Sequence, residues 1–281
     1  MAKIRITSDS TCDLNDLVNT RDIGILPLTI NLDTQAYLDG VDITPQDIFN
    51  FVNTTKILPK TSAPSVGDYE EFFKKQLEGY DYLIHFNISV KSSGSCQFAQ
   101  EAAKAFDGKV RVIDSKALSS GQGLLVLAAA DMRDAGKSVD EIHQAAIEIR
   151  DRINTSFIPD SLDYLHKGGR VSGMVKVMAS MFKIHPLIYM SDGQLVPGAK
   201  YRGKMTQIVK QYVRDLKEKY PNYDKTRCFV THSTAEPELV EVAKQAVAEN
   251  FEFDEVIETV AGSIITSHCG KGTLGVLFIY E

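Results

Sequence analysis

Clusters of serine and threonine lie between predicted strands and helices in the first half of the chain. Three such loops occur, at Ser8–Thr11, Thr61–Ser65 and Ser89–Ser95. Ligands of open α/β sheets bind outside the carboxyl ends of the strands, where helix N-termini present unpaired N–H groups and a partial positive charge. A hydroxyl beside such groups can complete a small site for phosphate or carboxylate. Serine and threonine before a helix are usually N-caps, so capping is the simpler explanation for any one of these loops taken alone.

A histidine near the C-terminus is a further candidate for contact with an anion. His268 lies within residues 262–272, which we predict to be a glycine-rich loop. Glycines on its C-terminal side would let the backbone approach a ligand closely. Histidine can donate a hydrogen bond to a carboxylate in either charge state, but it can also bond to a nearby carbonyl within the core. Both interpretations stay open from the residues alone.

Several well-known catalytic and nucleotide-binding motifs fail on context or spacing. Gly270, Gly272 and Gly275 match G-x-G-x-x-G, but a predicted strand follows them where a dinucleotide site needs a helix. The sequence has no complete Walker A loop and no G-x-S-x-G nucleophile elbow. The six histidines show no H-x-x-x-H spacing, so we expect no metal site. Two alternatives remain: an acyl hydrolase with Ser93 as nucleophile and His268 as base, and a binder of a small phosphorylated metabolite.

Length and composition restrict the class of protein further. The 281 residues suggest about two domains. A net charge of −6 argues against nucleic acid or an anionic membrane as the main partner. The four cysteines include no C-x-x-C pair, which favours a reducing cytoplasm. The longest apolar run, Leu124–Ala130, is far shorter than the roughly 20 residues of a membrane helix, so we expect a cytoplasmic protein without stable membrane insertion.

Predicted strands and helices alternate from the N-terminus, which is typical of an α/β fold. Before the midpoint we predict strands at residues 3–7, 23–28, 81–88 and 110–114, and helices starting at 45, 66, 94, 121 and 139. Beyond residue 154 the strands are shorter, and helices are predicted at 205–219 and 236–249. This change of character places a domain boundary near residue 153, with domains at 1–153 and 154–281.

An apolar stripe is predicted on a helix that Ser172 would cap. Its members follow the helical spacing i, i+3, i+4, i+7, i+8 and are Met174, Val177, Met178, Met181 and Phe182. Methionine adapts to irregular apolar partners, which suits a flexible ligand. Packing in the core is the simpler explanation for any single one of these residues.

The order and spacing of these segments resemble the DegV family, the fatty-acid-binding proteins that serve bacterial fatty acid kinases. The resemblance covers residues 3–280 and is carried by Thr7–Asp13, Thr61–Ser65, Ser92–Ser95, Val112–Ser115, Leu162–Ser172 and His268–Gly272. It implies a two-domain α/β protein. The N-terminal domain would be a three-layer α/β/α structure around a parallel sheet, and the C-terminal α/β domain would have a mixed sheet.

The resemblance also implies a ligand and a site. One long-chain, palmitate-like fatty acid would lie between the domains, with its carboxylate bound by Thr61, Ser93 and His268, next to Ser62 and Gly94. The methionine-rich stripe would line the acyl-chain pocket. The chain itself would need no cofactor and perform no catalysis, because a separate ATP-dependent kinase phosphorylates the bound carboxylate. Arg170 and Arg202 fall at basic positions that would face this partner.

The chain departs from the usual family pattern at three places. Lys271 stands where the family usually has proline, Ser95-Cys96 replaces Thr-Tyr, and Tyr201–Lys204 is less basic than usual. These differences concern the kinase partnership and the preferred acyl chain more than lipid binding.

Overall fold

The computed structural model describes residues 2–171 and 184–281. The predicted helix that carries Met174, Val177, Met178, Met181 and Phe182 lies outside the described residues. The strands are β1 (Ile4–Asp9), β2 (Ile23–Leu26), β3 (Thr29–Leu32), β4 (Gln35–Leu38), β5 (Lys60–Ser62), β6 (Tyr82–Asn87), β7 (Val110–Asp114), β8 (Ile153–Asn154), β9 (Ser156–Ile158), β10 (His185–Ser191), β11 (Gln194–Tyr201), β12 (Tyr223–His232), β13 (Glu255–Val260) and β14 (Leu274–Tyr280). The helices are α1 (Leu17–Thr20), α2 (Pro45–Thr55), α3 (Val66–Gln76), α4 (Ser95–Ala103), α5 (Ser120–Asp134), α6 (Val139–Ile149), α7 (Asp163–Gly168), α8 (Met205–Lys219), α9 (Pro237–Asn250) and α10 (Ser263–Cys269).

A four-stranded parallel sheet forms the centre of the N-terminal half, in the order β2-β1-β6-β7. Successive residues of a strand point to opposite faces, and β6 shows this clearly. Leu83 packs with Tyr69 of α3 and Ala99 of α4, whereas Ile84 packs with Leu124 of α5. Helices therefore cover both faces, and the expected three-layer arrangement around a parallel sheet is confirmed.

A mixed sheet of seven strands occupies the C-terminal half, with the main order β11-β10-β9-β14-β12-β13 and β8 paired to β14. Among the strands described in this sheet, only β12 and β13 pair in parallel. Helices α8 and α9 cover one face, where Tyr212 and Val247 pack with Val230. On the other face Phe229 and Leu277 belong to the same core as α5. The mixed sheet expected for this half is confirmed.

Helix α5 lies between the two sheets. Its residues Leu124–Leu127 pack in a core that takes side chains from both halves. A helix buried all round must be apolar on all its faces, which explains the run Leu124–Ala130. Because this core is shared, the division into 1–153 and 154–281 remains a proposal.

A third, antiparallel sheet was not predicted from the sequence. Its order is β4-β3-β5, and Thr61 of β5 pairs with Ile30 of β3. The strands have only three or four residues each. Such short strands show little alternation of hydrophobicity. The pairing of β3 with β5 also joins residues that lie about thirty positions apart in the chain. This small sheet places Thr61.

The prediction of a glycine-rich loop over residues 262–272 was wrong for most of this segment. Ser263–Cys269 forms helix α10, with Gly262 as its N-cap residue. Serine and β-branched residues, such as Ile264 and Ile265, are poor helix formers, so local propensity gave no helix signal. Burial of Ser263, Ile264, Thr266 and Ser267 supplies the missing stabilisation.

In the described ranges, no helix is long and apolar enough to cross a membrane. Within the same ranges, no three His, Cys, Asp or Glu side chains are grouped as ligands for a metal ion. The four cysteines are free and buried.

Candidate ligand-binding site

A cavity of about 380 Å³ lies where β5, the start of α4 and helix α10 meet. Sites for small molecules commonly measure 300–1,000 Å³ and are mostly apolar with a few polar groups. The polar lining here comes from Thr61, Ser62, Ser92, Ser93, Arg170 and His268, with the backbone of Gly94 and Gly168. The apolar lining consists of Leu28, Ala63, Ile88, Phe98, Leu118, Leu165, Leu195, Ile264 and Ile265.

Thr61 and His268 form a hydrogen-bonded pair in the cavity wall. Oγ1 of Thr61 lies 3.0 Å from Nε2 of His268, although 207 positions separate the residues in sequence. The small antiparallel sheet holds Thr61, and the last turn of α10 holds His268. Their proximity is therefore a product of tertiary structure.

The His268 ring is neutral near pH 7 and keeps an unused nitrogen. Burial, and then the charge of Arg170, lower its pKa to about 4. A neutral imidazole has one N–H donor and one acceptor nitrogen. Nε2 faces Thr61, while Nδ1 is buried and has no hydrogen-bond partner among the residues that the structure describes. Thr61 and His268 can thus offer a donor to an anion without themselves adding a positive charge.

Ser93 combines the two roles that its sequence position suggested. Its Oγ accepts a hydrogen bond from the backbone N–H of Ser95, the first residue of α4, at 3.2 Å, while Gly94 is the N-cap residue. The hydroxyl proton remains available, since a serine hydroxyl donates one bond and accepts two. Ser93 also lines the cavity, and its backbone N–H donates to Ser89 O at 3.1 Å. A bond to the start of α4 and contact with a ligand are therefore compatible in this residue.

A smaller cavity of about 60 Å³ lies deeper in the protein. It shares Leu118, Leu165, Leu195, Ile265 and His268 with the main cavity. These shared leucine and isoleucine side chains therefore border both spaces.

A third pocket, of about 290 Å³, lies on the outer side of the Thr61–His268 pair. Thr61, Gly168, Arg170 and His268 line this pocket as well as the main cavity. Lys60 and Lys167 add two more positive charges to its lining. We call this space the basic vestibule. An anionic group bound near Thr61 and His268 would thus have apolar walls on one side and cationic side chains on the other.

The comparisons with known proteins agree with this architecture. The model of the DegV family, described as a family of uncharacterised proteins, matches residues 3–281. This chain belongs to the DegV family. A DegV domain-containing protein of Caldanaerobacter subterraneus is 33% identical over 280 residues, which are 99% of each chain.

Solved DegV structures share the fold over nearly the whole chain. A DegV family protein from Thermus thermophilus, described as binding fatty acid, superposes with a TM-score of 0.93 at 27% identity, covering 99% of this chain and 100% of that one. The protein TM841 from Thermotoga maritima, described as having a fatty acid binding function, gives a TM-score of 0.85 at 28% identity with the same coverage. The α/β fold and the family expected from the sequence are confirmed.

The structure of this DegV protein brings most of the anticipated site residues together. Thr61, Ser62, Ser93, Gly94 and His268 surround the main cavity, and Arg170 lies at its junction with the basic vestibule. Arg202 does not join them: it is exposed after β11 and is absent from the described lining of either space.

The first hydroxyl-rich loop has a structural role. Ser10 Oγ accepts from the backbone N–H of Leu28 at 3.1 Å, and Thr11 Oγ1 donates to Asp9. Asp9 is fully buried and also accepts from Gln122 at 2.9 Å. Burial raises the Asp9 pKa, and these hydrogen bonds oppose that shift. The loop therefore belongs to a buried polar network at the end of β1.

Sequence reasoning did not find the apolar wall of the cavity or two buried aspartates near α10. The wall residues Ile88, Leu118, Leu165 and Leu195 come from four separate segments, and nothing local distinguishes them from other core residues. Asp13 and Asp39 accept hydrogen bonds from the first N–H groups of α10. An acidic residue in an otherwise buried stretch, as at Asp13, is the one signal that could have drawn attention to them.

Proposed function

We propose that this protein binds one long-chain fatty acid, with its carboxylate at Thr61, Ser93 and His268 and its tail along the apolar lining of the main cavity. The observation that carries this proposal is the mixed lining of the cavity. The hydrogen-bonded pair Thr61–His268, Ser93 and Arg170 share one lining with nine apolar residues. That combination suits a ligand with one charged end and a long hydrocarbon tail.

Energetics support a tail-dominated ligand. Burial of roughly a dozen methylenes at about 0.8 kcal/mol each is worth on the order of 10 kcal/mol before ordering costs. Each hydrogen bond to the charged head contributes about 1.5–3 kcal/mol. A carboxylate buried without donors would be costly. The tail therefore supplies most of the affinity, while Thr61, Ser93 and His268 fix its direction.

Relatives with more than a quarter of their residues identical point to the same ligand class. The Thermus thermophilus and Thermotoga maritima proteins are described as binding fatty acid. Each similarity covers 99% of this chain.

We extend the proposal to a non-catalytic role in the cytoplasm, in which the bound acid is presented to a separate ATP-dependent kinase. The kinase would transfer the γ-phosphoryl group of ATP to a carboxylate oxygen, which forms an acyl phosphate and releases ADP. Lys60, Lys167 and Arg170 in the basic vestibule are suited to the added negative charge. They lie on the outer side of Thr61 and His268, where a partner could reach the head group.

The arrangement gives little support to an acyl hydrolase. A serine nucleophile needs a base within hydrogen-bond reach. In the described structure His268 Nε2 is bonded to Thr61, and no hydrogen bond joins it to Ser93. A fluorophosphonate probe that labelled Ser93 would revive this alternative.

The decisive experiment is organic extraction of the purified protein followed by mass spectrometry. We expect a long-chain fatty acid in about equimolar amount. A clean extract, together with binding of a phosphorylated metabolite, would instead favour the small-anion alternative and end the fatty acid proposal.

Site assignment is tested with Ser93→Ala, which should weaken palmitate retention without unfolding the protein. Ser65→Ala is the matched control, because Ser65 caps α3 in the neighbouring hydroxyl-rich loop and is absent from the described lining of the cavity. It should lower thermal stability and leave retention unchanged. Equal retention in Ser93→Ala and wild type would remove Ser93 from the site.

The presentation step is tested separately with palmitate-loaded protein, ATP and a purified bacterial fatty acid kinase. Hydroxylamine converts an acyl phosphate into a hydroxamate, which mass spectrometry detects. We expect hydroxamate only when all three components are present. Its absence while palmitate stays bound would retain the binding proposal and reject the presentation step.

A further inference from the structure

Two buried carboxylates from the N-terminal half hold the start of the helix that carries His268. Asp13 Oδ1 accepts from the backbone N–H of Gly262 at 2.9 Å, and Asp39 Oδ1 accepts from that of Ser263 at 2.8 Å. Each aspartate is only 4% exposed. The first N–H groups of a helix have no partner within the helix, so these two contacts fasten α10 at its N-terminal end.

Each carboxylate is itself fixed by its surroundings. Asp13 follows a short 3₁₀ turn after β1 and accepts a hydrogen bond from Ser119 Oγ. Asp39 follows β4, accepts a hydrogen bond from Ser10 and donates its backbone N–H to Leu28 O at 2.9 Å. Burial raises the pKa of both carboxyl groups, and the hydrogen bonds oppose that shift. Neither residue is part of the described cavity lining, so the proposed binding site leaves both without a role.

We propose that Asp13 and Asp39 are positioning residues that set the place and direction of His268 in the fatty acid site. This inference rests on the proposed function and names no new ligand group. It assigns the placement of a C-terminal side chain to two N-terminal residues.

Helix geometry explains why the anchor should matter at the other end of α10. The helix has only seven residues, and His268 lies five residues beyond Ser263, or about 8 Å along the axis. A helix this short is marginal without tertiary support. Its last turn places His268 Nε2 3.0 Å from Thr61 Oγ1, a contact that a shift of about 1 Å would lose.

The anchor is also closely packed. A Cβ atom at Gly262 would lie 3.0 Å from Asp13 Oδ1 and 3.3 Å from Asp39 Oδ1. Gly262 has φ −64° and ψ 174°, which alanine adopts without strain. In Gly262→Ala the added methyl group therefore crowds the two carboxyl groups, although neither aspartate is replaced.

The test is a double-mutant cycle that measures equilibrium binding of radiolabelled palmitate to delipidated protein. Asp39→Ala removes the anchor, and His268→Ala removes the side chain on which it is proposed to act. We expect Asp39→Ala to weaken binding at least about fivefold in the wild-type background and less than about twofold in the His268→Ala background. Asp39→Asn keeps an oxygen that can accept from Ser263 N–H, so it should restore most of the affinity.

If Asp39→Ala fails to fold, Gly262→Ala replaces it in the same double-mutant cycle. We expect Gly262→Ala to weaken palmitate binding in the wild-type background and to have little effect in the His268→Ala background. The matched control is Ser138→Ala, which removes the capping box of the distant helix α6. It should lower stability and leave palmitate affinity unchanged in both backgrounds.

The outcomes separate the two proposals. If wild-type protein fails to bind palmitate, the proposed function and this inference both fall. Suppose instead that wild type binds palmitate, and that Asp39→Ala or Gly262→Ala changes the palmitate affinity by the same factor in the wild-type and His268→Ala backgrounds. Fatty acid binding then stands, and the positioning role is refuted.

Discussion

The buried His268 makes the stability of the ligand-free protein depend on pH in a direction that the structure determines. Its pKa is lowered to about 4 in the folded protein, mainly by burial and then by Arg170, against about 6.5 in an unfolded chain. Arg170, the charged group that contributes to this shift, lines the basic vestibule together with His268. The proposed perturbation is acidification of wild type and His268→Gln in parallel.

The sign follows from which state binds more protons. Between about pH 6.5 and pH 4 the unfolded chain protonates this histidine while the folded protein keeps it neutral, so acid favours unfolding. The penalty is negligible above about pH 7 and is complete below about pH 4. With these two pKa values, the free energy of unfolding should fall by about 2 kcal/mol from pH 7.5 to pH 5.0, relative to His268→Gln.

Asp9, Asp13 and Asp39 act in the opposite direction. Burial raises their pKa values, so the folded state binds more protons than the unfolded state and gains relative stability as the pH falls through that range. These groups are present in both proteins, so their contribution cancels in the difference between wild type and His268→Gln.

The assay is urea unfolding followed by circular dichroism at pH 7.5, 6.5, 5.8 and 5.0. His166→Gln is the matched control, because the structure exposes this side chain on neighbouring α7. Its free energy of unfolding should change with pH as that of wild type does. If the free energy of unfolding changed with pH in the same way for wild type and His268→Gln, the ring would titrate alike in the folded and unfolded states. That result refutes the buried, neutral His268 on which the site depends.

Three further predictions concern ligand binding. Thr61→Val should weaken palmitate binding about 10- to 100-fold through loss of a donor to a buried carboxylate, whereas Thr61→Ser should bind nearly as wild type; equilibrium dialysis measures both, and equal affinities would contradict the site. Gly168→Ala places a Cβ 2.9 Å from His268 Nδ1 and should reduce affinity, whereas at Gly169 the added Cβ meets no atom of the described residues within 4 Å and costs stability through its positive φ of +67°; comparable affinity loss in the two variants would argue against a role for the His268 ring. Leu195→Ala removes side-chain volume that borders both the main and the deeper cavity and should shift the preferred acyl chain to greater length in a competition series of C12 to C20 acids; an unchanged preference would mean that the tail does not reach Leu195.

Local sequence signals were sufficient for the helix starts and the class of fold. Thr44, Ser65 and Ser138 lie directly before three of the predicted helix starts, and each forms a capping box in the structure. Such signals involve residues three positions apart, so they act in the same way whatever the rest of the chain does. The alternation of strands and helices likewise indicated the α/β class, whereas the parallel sheet was implied by the family resemblance.

Prediction was weaker where stability comes from distant contacts. The strands β3 to β5 are too short to show a period of their own, and α10 is built from residues with low helix propensity. Its helical state depends on burial and on the carboxylates of Asp13 and Asp39 at its start. These supports come from more than 200 residues earlier in the chain, so no window of local sequence contains them.

The candidate site shows the same division. The residues alone pointed to the hydroxyl-rich loops and to His268, because hydroxyls before helices and a histidine beside glycines can contact an anion. The family resemblance then singled out Thr61 and Ser93 and joined all three residues into one hypothesis. Only the tertiary structure decided that Thr61 and His268 share a hydrogen bond, that Ser93 lines the same cavity, and that Arg202 does not. The physical reason is that residue type determines which bonds a side chain can make, whereas packing of the sheets and helices around α5 determines which side chains come within reach.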